Sequence, residues 1–482
     1  MNLTPPKYKD GIKTVVQSAF CGIDRREGAS DGAISHMLNM TGDHYPVLST
    51  RGGRSPYDDY TSIVDKYGVS DYERSEMKLT LVCDVSDVPY YVFLGYDDGI
   101  EQYFLVVSMV DADGIIKSAR LLSCEDYSAL DNVRAVAFNN RLVVFAHNQL
   151  WCVWYAGKAE QLDCEQYDCE LPSLEHICVN RDRIWGTTGN EIYCCASCEP
   201  GVWFRYDNTA ADSFYAQIPE VSRFTGVASY GGSVYFFTSE NVYRMYGTTP
   251  DAFSLVPLGT YGMDESESES FGTAAQMLFY NSVCGPACFD GDSAKLIGHP
   301  LGSGLPTAAV GIGCAQKYYM ADGADLYVFD ASKGIWQVHG VTDDIVDIGV
   351  FGGRAILFTS QYAEYVDKKQ HEPVSDEDCT RKSQVEFADI TEGALYGVMP
   401  IEFVLGAWLG EGASLSLSIC CDTGDWTQIW STTECGKHVH RVRFSPKSRC
   451  DHYRLRLDGV GDWKLYSLAR SYSVCASTPY GE

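Results

Sequence analysis

Residues Phe224–Gly247, FTGVASYGGSVYFFTSENVYRMYG, decide the fold of this chain. The stretch predicts three short antiparallel strands. Gly231-Gly232 separates the first strand from the apolar run Val234–Phe237, because paired glycines reach the positive φ angles that a tight hairpin turn requires. Val242–Tyr246 then alternates with the period of two that is typical of a strand. A meander of this size cannot bury both of its faces alone, so similar units are expected beside it.

Further stretches repeat the same order of strand, polar turn, apolar run and aromatic strand. A first unit lies within residues 78–122, and the others are Val133–Trp154, Leu174–Cys195, Phe271–Phe289, Thr307–Phe329 and Ile345–Val366. Their starts lie about 35 to 50 residues apart, which is the period of propeller blades. The sequence therefore predicts an all-β chain whose main domain is a β-propeller of six to eight blades, about seven.

The rest of the chain divides by composition into segments on either side of the blades. Residues 1–56 are expected to supply N-terminal strands that contribute to propeller closure, and residues 57–77 an acidic loop with a short helix. The blades occupy residues 78–366, and a charged, turn-rich linker follows at residues 367–397. In residues 398–482 the spacing of six short strands indicates a C-terminal β-sandwich of jelly-roll type.

Charge argues against several classes of partner. The 482 residues include 65 Asp and Glu against 37 Lys and Arg, a formal net charge of −28. Non-specific binding to nucleic acid or to an anionic membrane needs a basic patch, so neither is expected. Met1–Asp10 lacks the apolar core of a signal peptide, and no run approaches the roughly 18 apolar residues of a membrane span. We therefore expect a protein made in a cytosol without the usual export signal.

Nineteen cysteines raise the question of a metal site. Cysteines that are not exported usually stay reduced and serve as small buried apolar residues. A zinc site would need two well-spaced pairs of ligands facing each other. Cys195 and Cys198 with Cys284 and Cys288 form the only candidate quartet, and we favour strand filler over zinc for them.

Motifs of the common hydrolases and nucleotide-binding enzymes are absent. The chain contains no G-x-S-x-G, no H-E-x-x-H and no phosphate-binding glycine loop. A propeller glycosidase would place carboxylates around its axis, and Asp182, Asp322 and Asp343-Asp344 are the candidates for that less favoured alternative. The acidic connector Met263–Ser270 lacks the ligand pattern of a calcium loop and predicts a solvated loop. We therefore expect no catalytic, cofactor-binding or metal-binding residues.

Two aromatic features have both a functional and a structural interpretation. Cys420–Trp426, CCDTGDW, is similar to the Asp-box turn of sialidase-like propellers, but the Trp comes one place early and the turn occurs once. A hairpin turn with a packed Trp is the better interpretation. Trp side chains in the blades could stack on sugars, yet at such positions they more often pack between blades. These residues are Trp151, Trp154, Trp185 and Trp203.

Several motifs together resemble the β-propeller proteins of tailed phages, namely the packaged-DNA stabilisation or tail-nozzle (tail-hub) proteins of short-tailed phages and related prophages. The N-terminal motifs are Phe20–Asp24, Gly32–Ile34, Met37–Met40 and Tyr45–Arg51; the central ones are Trp185–Tyr193, Trp203–Tyr206, Asp212–Tyr215, Val234–Phe237, Val242–Gly247 and Cys288–Gly291; those of the terminal sandwich are Arg449–Gly459 and Gly461–Tyr466. The acidic insert at Tyr57–Met77 and the abundance of cysteine depart from the family pattern and leave the position within the tail open.

The resemblance implies a structural virion protein rather than an enzyme. It implies a ring of identical subunits, a hexamer in the family, under the head–tail connector and around or sealing the DNA channel. The implied partners are connector or adaptor proteins, tail fibre or spike proteins, and DNA that passes without specific binding. Acidic side chains facing the bore would keep DNA from adhering. A carbohydrate-binding tail adhesin is the first alternative, and a propeller glycoside hydrolase is the second.

Overall fold

The computed structural model describes residues 11–26, 28–67, 78–97, 101–124, 133–146, 149–154, 158–161, 171–307, 310–369, 372, 374, 381–394, 397–445 and 449–474. Strands dominate this part of the chain, and it contains a single α-helix, α1. None of its helices has the length and apolar content needed to cross a membrane.

The first elements are short. They are β1 (Lys13–Gln17), β2 (Ile34–Leu38), β3 (Met40–Thr41), β4 (Leu48–Thr50), β5 (Ser55–Pro56) and α1 (Asp58–Tyr67).

Seven four-stranded antiparallel sheets follow and form the blades. Blade 1 contains β6 (Lys78–Val85), β7 (Val88–Asp97), β8 (Gln102–Val110) and β9 (Ile116–Cys124). Blade 2 contains β10 (Arg134–Phe138), β11 (Arg141–Ala146), β12 (Gln149–Trp154) and β13 (Lys158–Gln161). Blade 3 contains β14 (His176–Asn180), β15 (Arg183–Thr188), β16 (Glu191–Cys194) and β17 (Phe214–Gln217). Blade 4 contains β18 (Gly226–Tyr230), β19 (Ser233–Phe237), β20 (Val242–Tyr246) and β21 (Ser254–Pro257).

The remaining blades have the same order. Blade 5 contains β22 (Gly272–Ala274), β23 (Met277–Ser282), β24 (Gly285–Phe289) and β25 (Ala294–Leu296). Blade 6 contains β26 (Val310–Cys314), β27 (Lys317–Asp322), β28 (Asp325–Asp330) and β29 (Ile335–Gly340). Blade 7 contains β30 (Ile345–Phe351), β31 (Arg354–Thr359) and β32 (Ala363–Tyr365), with β5 as its fourth strand. The predicted fold class, an all-β propeller with a C-terminal sandwich, is confirmed.

Blade 4 is the stretch from which the fold was predicted. Gly231 and Gly232 have φ angles of 57° and 76°, so the paired glycines form the left-handed hairpin turn expected of them. Asn139 and Asn140 adopt the same backbone in blade 2, with φ angles of 50° and 59°. The meander has a fourth strand, β21, that the pattern did not predict, because its residues are mostly exposed and do not alternate.

The ring of blades closes between blade 7 and blade 1. Pairing of β32 with β5 completes blade 7 with residues from the N-terminal end of the chain. Helix α1 follows at once and buries Tyr60 and Ile63 in a core shared with Phe93 and Phe358. The Tyr60 hydroxyl donates to the Thr359 carbonyl at 2.9 Å. Two strands about 300 residues apart in sequence, β5 and β32, are therefore paired within one blade.

The C-terminal domain is a sandwich of two sheets. Its strands are β33 (Lys382–Phe387), β34 (Val398–Leu409), β35 (Ser414–Cys421), β36 (Thr427–Thr432), β37 (Gly436–Arg443), β38 (Tyr453–Val460) and β39 (Trp463–Val474). One sheet has the order β3-β4-β39-β34-β37, with β1 also paired to β39. The other sheet has the order β2-β33-β38-β35-β36. The core between the sheets contains Phe403, Leu417, Leu457 and Trp463.

Two predicted boundaries are corrected by this topology. Residues 1–56 were assigned to propeller closure, but β1 to β4 belong to the sandwich and only Ser55–Pro56 joins a blade. Residues 367–397 were assigned to a linker, but Lys382–Phe387 is a central sandwich strand. Both errors arise because short strands paired across hundreds of residues give no local signal. The predicted acidic loop at residues 57–77 contains α1, and its residues 68–77 lie outside the described chain.

The sandwich packs on the outer edge of blade 6. The backbone N–H of Ile23 donates to the Trp336 carbonyl at 3.1 Å, and that of Asn39 donates to the Val338 carbonyl at 2.9 Å. Apolar residues of blade 6 and of the sandwich share one continuous core. The N-terminal segment therefore covers the exposed edge of β29 and joins the two domains.

A buried ion pair fixes Arg470 of the last sandwich strand, and the same arginine hydrogen-bonds to the first strand. Arg470 and Glu392 are 1% and 2% exposed, and Nε and Oε1 lie 2.8 Å apart. The Tyr453 hydroxyl donates to the same Oε1 at 2.7 Å, and Arg470 Nη1 donates to Gln17 Oε1 at 3.1 Å. Removing one member of such a pair leaves an uncompensated buried charge.

We expect Arg470→Met to lower the free energy of unfolding by about 3–5 kcal/mol, because Glu392 then stays buried without its counter-ion. Chemical denaturation measures the change. The double variant Arg470→Met, Glu392→Met should recover most of the loss, and the control Arg26→Ala breaks an exposed pair and should leave stability unchanged. A double variant no more stable than the single one would contradict this account.

His339 lies buried where blade 6 meets the N-terminal segment. Burial, followed by the positive charges of Arg51, Arg54 and Lys317, holds the pKa of His339 well below its usual value. His339 therefore binds a proton in the unfolded chain at a pH at which it stays neutral in the folded chain. The free energy of unfolding consequently falls as pH drops below about 6.5.

We expect His339→Leu to reduce the loss of stability between about pH 7.5 and about pH 5, because the variant has no imidazole to protonate on unfolding. Denaturation at each pH measures the change. An unaltered pH dependence would show that His339 does not contribute to it.

Candidate functional site

The propeller has two distinct ends. The upper face carries the connectors that enter the inner strands β10, β14, β18, β22, β26 and β30, and the turns between second and third strands. The lower face carries the turns between first and second strands, such as Arg181-Asp182 and Gly231-Gly232. Ligand sites of ring-shaped folds are usually sought where such connectors converge on the axis.

An ion pair crosses the axis at the upper face. Arg134 begins the inner strand of blade 2, and Glu269 precedes the inner strand of blade 5. Their Nη1 and Oε1 atoms are 3.2 Å apart. Blades 2 and 5 are not neighbours in a ring of seven, so this contact spans the channel. Arg134 Nε also donates to the Glu175 carbonyl at 2.8 Å, which fixes the guanidinium in place.

A second arginine engages the other carboxylates at this end. Arg223 Nη2 lies 3.0 Å from Glu175 Oε1 and 2.6 Å from Glu265 Oε1. Glu175 Oε2 accepts the Gly189 N–H at 3.1 Å. These carboxylates are thus held by arginine or backbone donors, an arrangement that favours a structural role over proton transfer.

Asp347 lies on the inner strand of blade 7. Its Oδ2 accepts the Val82 N–H at 2.6 Å, and its Oδ1 accepts the Ile348 N–H at 2.7 Å. Loss of hydration raises the pKa of Asp347 to about 7, and the charge of Glu269 adds to the shift. The bond from Val82 ties blade 7 to blade 1 at the inner seam of the ring, and the bond from Ile348 holds the carboxylate in place.

Glu267 forms a buried polar network between blades 5 and 6. Asn281 Nδ2 donates to Glu267 Oε2 at 2.9 Å, while Asn281 Oδ1 has no hydrogen-bond partner in the described structure. Burial raises the pKa of Glu267 to about 7, although the Asn281 bond opposes the shift. A protonated Glu267 would leave no charge to desolvate at this buried position.

The structure corrects the prediction for the connector Met263–Ser270. A solvated loop was expected from its acidic sequence, but Met263, Glu267 and Ser270 are buried. Ser270 Oγ donates to the Glu267 carbonyl and accepts the Asn281 N–H, so the connector is part of the interblade packing. The alternation of acidic residues with serine gave no indication of which carboxylate would turn inward.

An open groove of about 1190 Å³ lies on the upper face along blades 4 and 5. Glu220, Glu240, Asn241, Tyr261 and Cys284 are among its lining residues. Asn241 Oδ1 accepts three backbone N–H groups and is therefore committed to holding the loop. Small-molecule sites are usually more enclosed and more apolar, so the groove suits contact with another protein surface better.

The carboxylates named for a glycosidase are not all brought together: Asp344 lies beside the turn that follows Asp322, whereas Asp182 lies at the other end of the propeller. Asp182 lies in a lower-face turn, where the Ser197 hydroxyl donates to it. Asp322 ends β27 and Asp343-Asp344 precedes β30, so these three lie on the upper face. Asp322 Oδ2 accepts the Thr307 N–H at 3.3 Å. A catalytic pair that includes Asp182 is therefore excluded by the topology.

The candidate cysteine quartet is also dispersed. Cys195 is buried and its sulfur accepts the Ile184 N–H, whereas Cys198 is exposed near the lower face. Cys284 is exposed in an upper-face turn of blade 5, and Cys288 lies within β24. Among the described residues no cluster of three or more His, Cys, Asp or Glu could hold a metal ion.

The tryptophans of the blades mostly pack inside. Trp185 and Trp203 are 3% and 0% exposed, and Trp203 meets Phe145 of blade 2 edge-on. Trp151 is half-buried, and the side chain of Trp154 lies outside the described structure. Cys420–Trp426 forms the β35–β36 hairpin turn, with Trp426 under the guanidinium groups of Arg454 and Arg456. The hairpin interpretation is confirmed.

Blade 3 carries an exposed aromatic cluster that the sequence analysis did not identify. Phe204, Tyr206 and Tyr215 are 38%, 56% and 40% exposed. Tyr193 contacts both Phe204 and Tyr215 at ring-centroid distances of 6.1 and 5.1 Å. Glu191 accepts hydrogen bonds from the Tyr193 and Tyr215 hydroxyls at 2.6 and 2.8 Å. We call these residues the blade 3 aromatic cluster.

The axial ion pairs were also missed, and a signal for them existed. Arg134, Glu175, Arg223 and Glu269 each lie at or just before the start of an inner strand. In a ring of blades these positions converge on the axis. A search for charged residues at equivalent positions of the repeats would have found them.

We expect Glu267→Gln to raise the free energy of unfolding at about pH 8 by about 1–2 kcal/mol, because the variant removes a buried charge and keeps an oxygen that can accept from Asn281 Nδ2. The raised pKa means that the folded chain holds a proton that the unfolded chain releases between about pH 4.5 and 7, so stability contributed by Glu267 is lost as pH rises through that window. Denaturation at about pH 5 should show little difference from the unmodified chain.

The matched control for this experiment is Glu411→Gln, which removes an exposed carboxylate from a sandwich turn. It should change neither stability nor its pH dependence. An equal gain from both variants would indicate a general effect of net charge and would contradict the local explanation.

No family model and no curated protein matches the sequence. Solved structures that resemble it include BamB from Moraxella catarrhalis, with 9% identity over 62% of this chain and 98% of that chain, at a TM-score of 0.39. The β-propeller domain of the Trilobed protease from Pyrococcus furiosus has 10% identity over 62% and 97%, at 0.38. The acylaminoacyl peptidase of Pyrococcus horikoshii has 11% identity, at 0.40; the match covers 66% of this chain and 59% of the peptidase. These similarities concern the propeller fold alone.

Proposed function

We propose that this chain is a structural virion protein of a tailed phage or prophage. It forms a ring of identical subunits, the tail nozzle or hub, below the head–tail connector. The ring surrounds or seals the channel through which DNA passes. The proposal takes its class from the motifs of the N-terminal segment, the central blades and the terminal sandwich described above.

The observation that carries the structural side of the proposal is the ion pair across the axis. Enzymes built on propellers need an accessible site with poised acids or bases. Here the ion pair of Arg134 and Glu269 crosses the upper end of the central channel within one propeller, which is distinct from the DNA channel of the ring. Arg223 binds Glu175 and Glu265 at the same end. Side chains that join opposite blades stabilise the ring of blades and occupy the place where a substrate would lie.

Net charge supports passage of DNA without adhesion. A net charge of −28 repels phosphate, so a bore lined by acidic side chains would let duplex DNA slide. The proposed partners are further copies of the chain, hexameric by resemblance, connector or adaptor proteins, and tail fibre or spike proteins. The protein needs no cofactor for this role and acts in the virion after synthesis in the bacterial cytoplasm.

A carbohydrate-binding tail adhesin is the second candidate, favoured by the blade 3 aromatic cluster. Exposed aromatic rings stack on the apolar faces of sugars, and the Glu191 carboxylate could accept sugar hydroxyls. Binding on a glycan array that is lost in Tyr206→Ala and Tyr215→Ala would support this candidate. No binding by the unmodified chain would remove its support.

Particle analysis tests the main proposal. Phage particles produced by a host that carries the gene should contain the chain in the tail, by mass spectrometry and antibody labelling of purified tails. Deletion of the gene should yield heads that fail to retain DNA, and supplying the intact gene in trans should restore infectious particles. Complete, infectious particles that lack the chain would contradict the proposal.

A further inference from the structure

Charge is distributed unevenly between the two domains. Residues 382–474, which contain strands β33 to β39, include ten Lys and Arg against eleven Asp and Glu. Nearly all of the net charge of −28 therefore lies outside the sandwich. Because residues 382–474 are nearly neutral overall, any attraction to an acidic surface of another copy must come from a local group of positive charges.

Four of the ten Lys and Arg in residues 382–474 lie on the outward side of one sheet. In β37, Lys437, Val439, Arg441 and Arg443 are exposed, while the residues between them turn towards the core. Lys437 pairs across the sheet with Trp408 of β34, which in turn pairs with Lys464 of β39. We call Lys437, Arg441, Arg443 and Lys464 the cationic face.

Neutralisation within the cationic face is incomplete. Glu402 is the carboxylate beside it, and it lies 3.9 Å from Arg441 and 3.6 Å from Arg443. The two arginine side chains are 73% and 89% exposed. Two guanidinium groups thus share one carboxylate at long distances, and both keep donors free for a partner.

The lysines of the cationic face are partly held in place by aromatic rings. Lys437 Nζ lies 4.2 Å from the centre of the Tyr466 ring, and Lys464 Nζ lies 5.8 Å from that of Trp408. Between these residues the sheet carries the small side chains of Gly406, Ser467 and Ala469 and the apolar side chains of Val404 and Val439. Aromatic support limits the conformations that the lysines must lose on binding.

Protection of a sheet edge does not account for this arrangement. Natural proteins place Lys or Arg on edge strands to prevent unwanted strand pairing. β37 is an edge strand, but β39 pairs on both sides and still contributes Lys464. The charges therefore characterise a face of the sheet rather than its edge.

Acidic side chains on the upper face of the propeller provide the complement. Glu220, Glu240, Asp264 and Asp344 are exposed there. Glu220 and Glu240 line the open groove along blades 4 and 5. An acidic surface of this kind is complementary in charge to the cationic face.

We infer that the cationic face docks on the acidic upper face of the propeller in a second copy of this chain. This inference rests on the proposed function, since it names the interface through which the ring of subunits assembles. The contact joins two different surfaces, so it is heterologous and can be repeated from copy to copy until the ring closes. Attraction between the two surfaces weakens with added salt.

Charge reversal tests the interface on the full chain. We expect the purified chain to form oligomers at low salt in sedimentation velocity and light scattering, and to dissociate as salt is added. Lys437→Glu, Arg441→Glu and Arg443→Glu together should weaken association at low salt at least about tenfold, because each removes an attraction and adds a repulsion.

The matched control reverses the charge of three exposed lysines elsewhere, namely Lys78→Glu, Lys295→Glu and Lys382→Glu. This control should associate at least as strongly as the unmodified chain does. Circular dichroism and thermal unfolding check that every variant is folded. Adding Glu220→Lys, Glu240→Lys and Asp264→Lys to the variant with the reversed cationic face should restore association, since both surfaces then have exchanged sign.

The outcomes separate this inference from the proposed function. Oligomers that form equally well with the cationic face reversed would overturn the interface and leave the ring intact. A chain that stays monomeric at every salt concentration, with or without reversal, would contradict both. A third outcome is that the variant with the reversed cationic face associates as before but loses binding to an anionic polysaccharide such as heparin. That result would show that the cationic face binds another partner and would overturn self-docking.

Discussion

The fold depends on one constraint: the segment from Lys13 to Pro56 must pair with both domains. Strand β1 pairs with β39 at the C-terminal end of the sandwich, and β5 pairs with β32 to complete the last blade. Between them, Ile23 and Asn39 hydrogen-bond to the outer edge of blade 6. Neither domain reaches its full set of strands without residues from the opposite end of the chain, so the two domains are built as one unit.

Charged side chains are buried where the segment from Lys13 to Pro56 packs against the two domains. Arg470 is fixed by Glu392 and by Gln17 of β1, and His339 of blade 6 lies among the cations Arg51, Arg54 and Lys317. Buried ionic groups of this kind are costly to desolvate, but they specify one arrangement of the strands. The axial pair of Arg134 and Glu269, which is partly exposed, joins two blades that are not neighbours.

How much the sequence predicts depends on the range of the interactions. The blades from Val133 to Val366 were predicted because each is a local meander with its own turn, as in Gly231-Gly232. The fourth strands, such as Ser254–Pro257, were missed because exposed outer strands lack apolar alternation. The N-terminal strands were assigned to the wrong domain, since pairing of Lys13 with Tyr472 leaves no local trace. The ion pairs on the axis and the burial of Glu267 were not predicted from the sequence, because both depend on how the blades are arranged around the ring.

The central claim is that the chain is a subunit whose cationic sandwich face meets the acidic propeller face of its neighbour. Electron cryo-microscopy of the oligomer formed by the purified chain tests it most directly. The account predicts a closed ring in which Arg441 and Arg443 of each copy contact the upper-face connectors of the next, around a bore lined by acidic side chains. A particle with no such contact, or an isolated propeller with a ligand bound in its axial channel, would contradict the account.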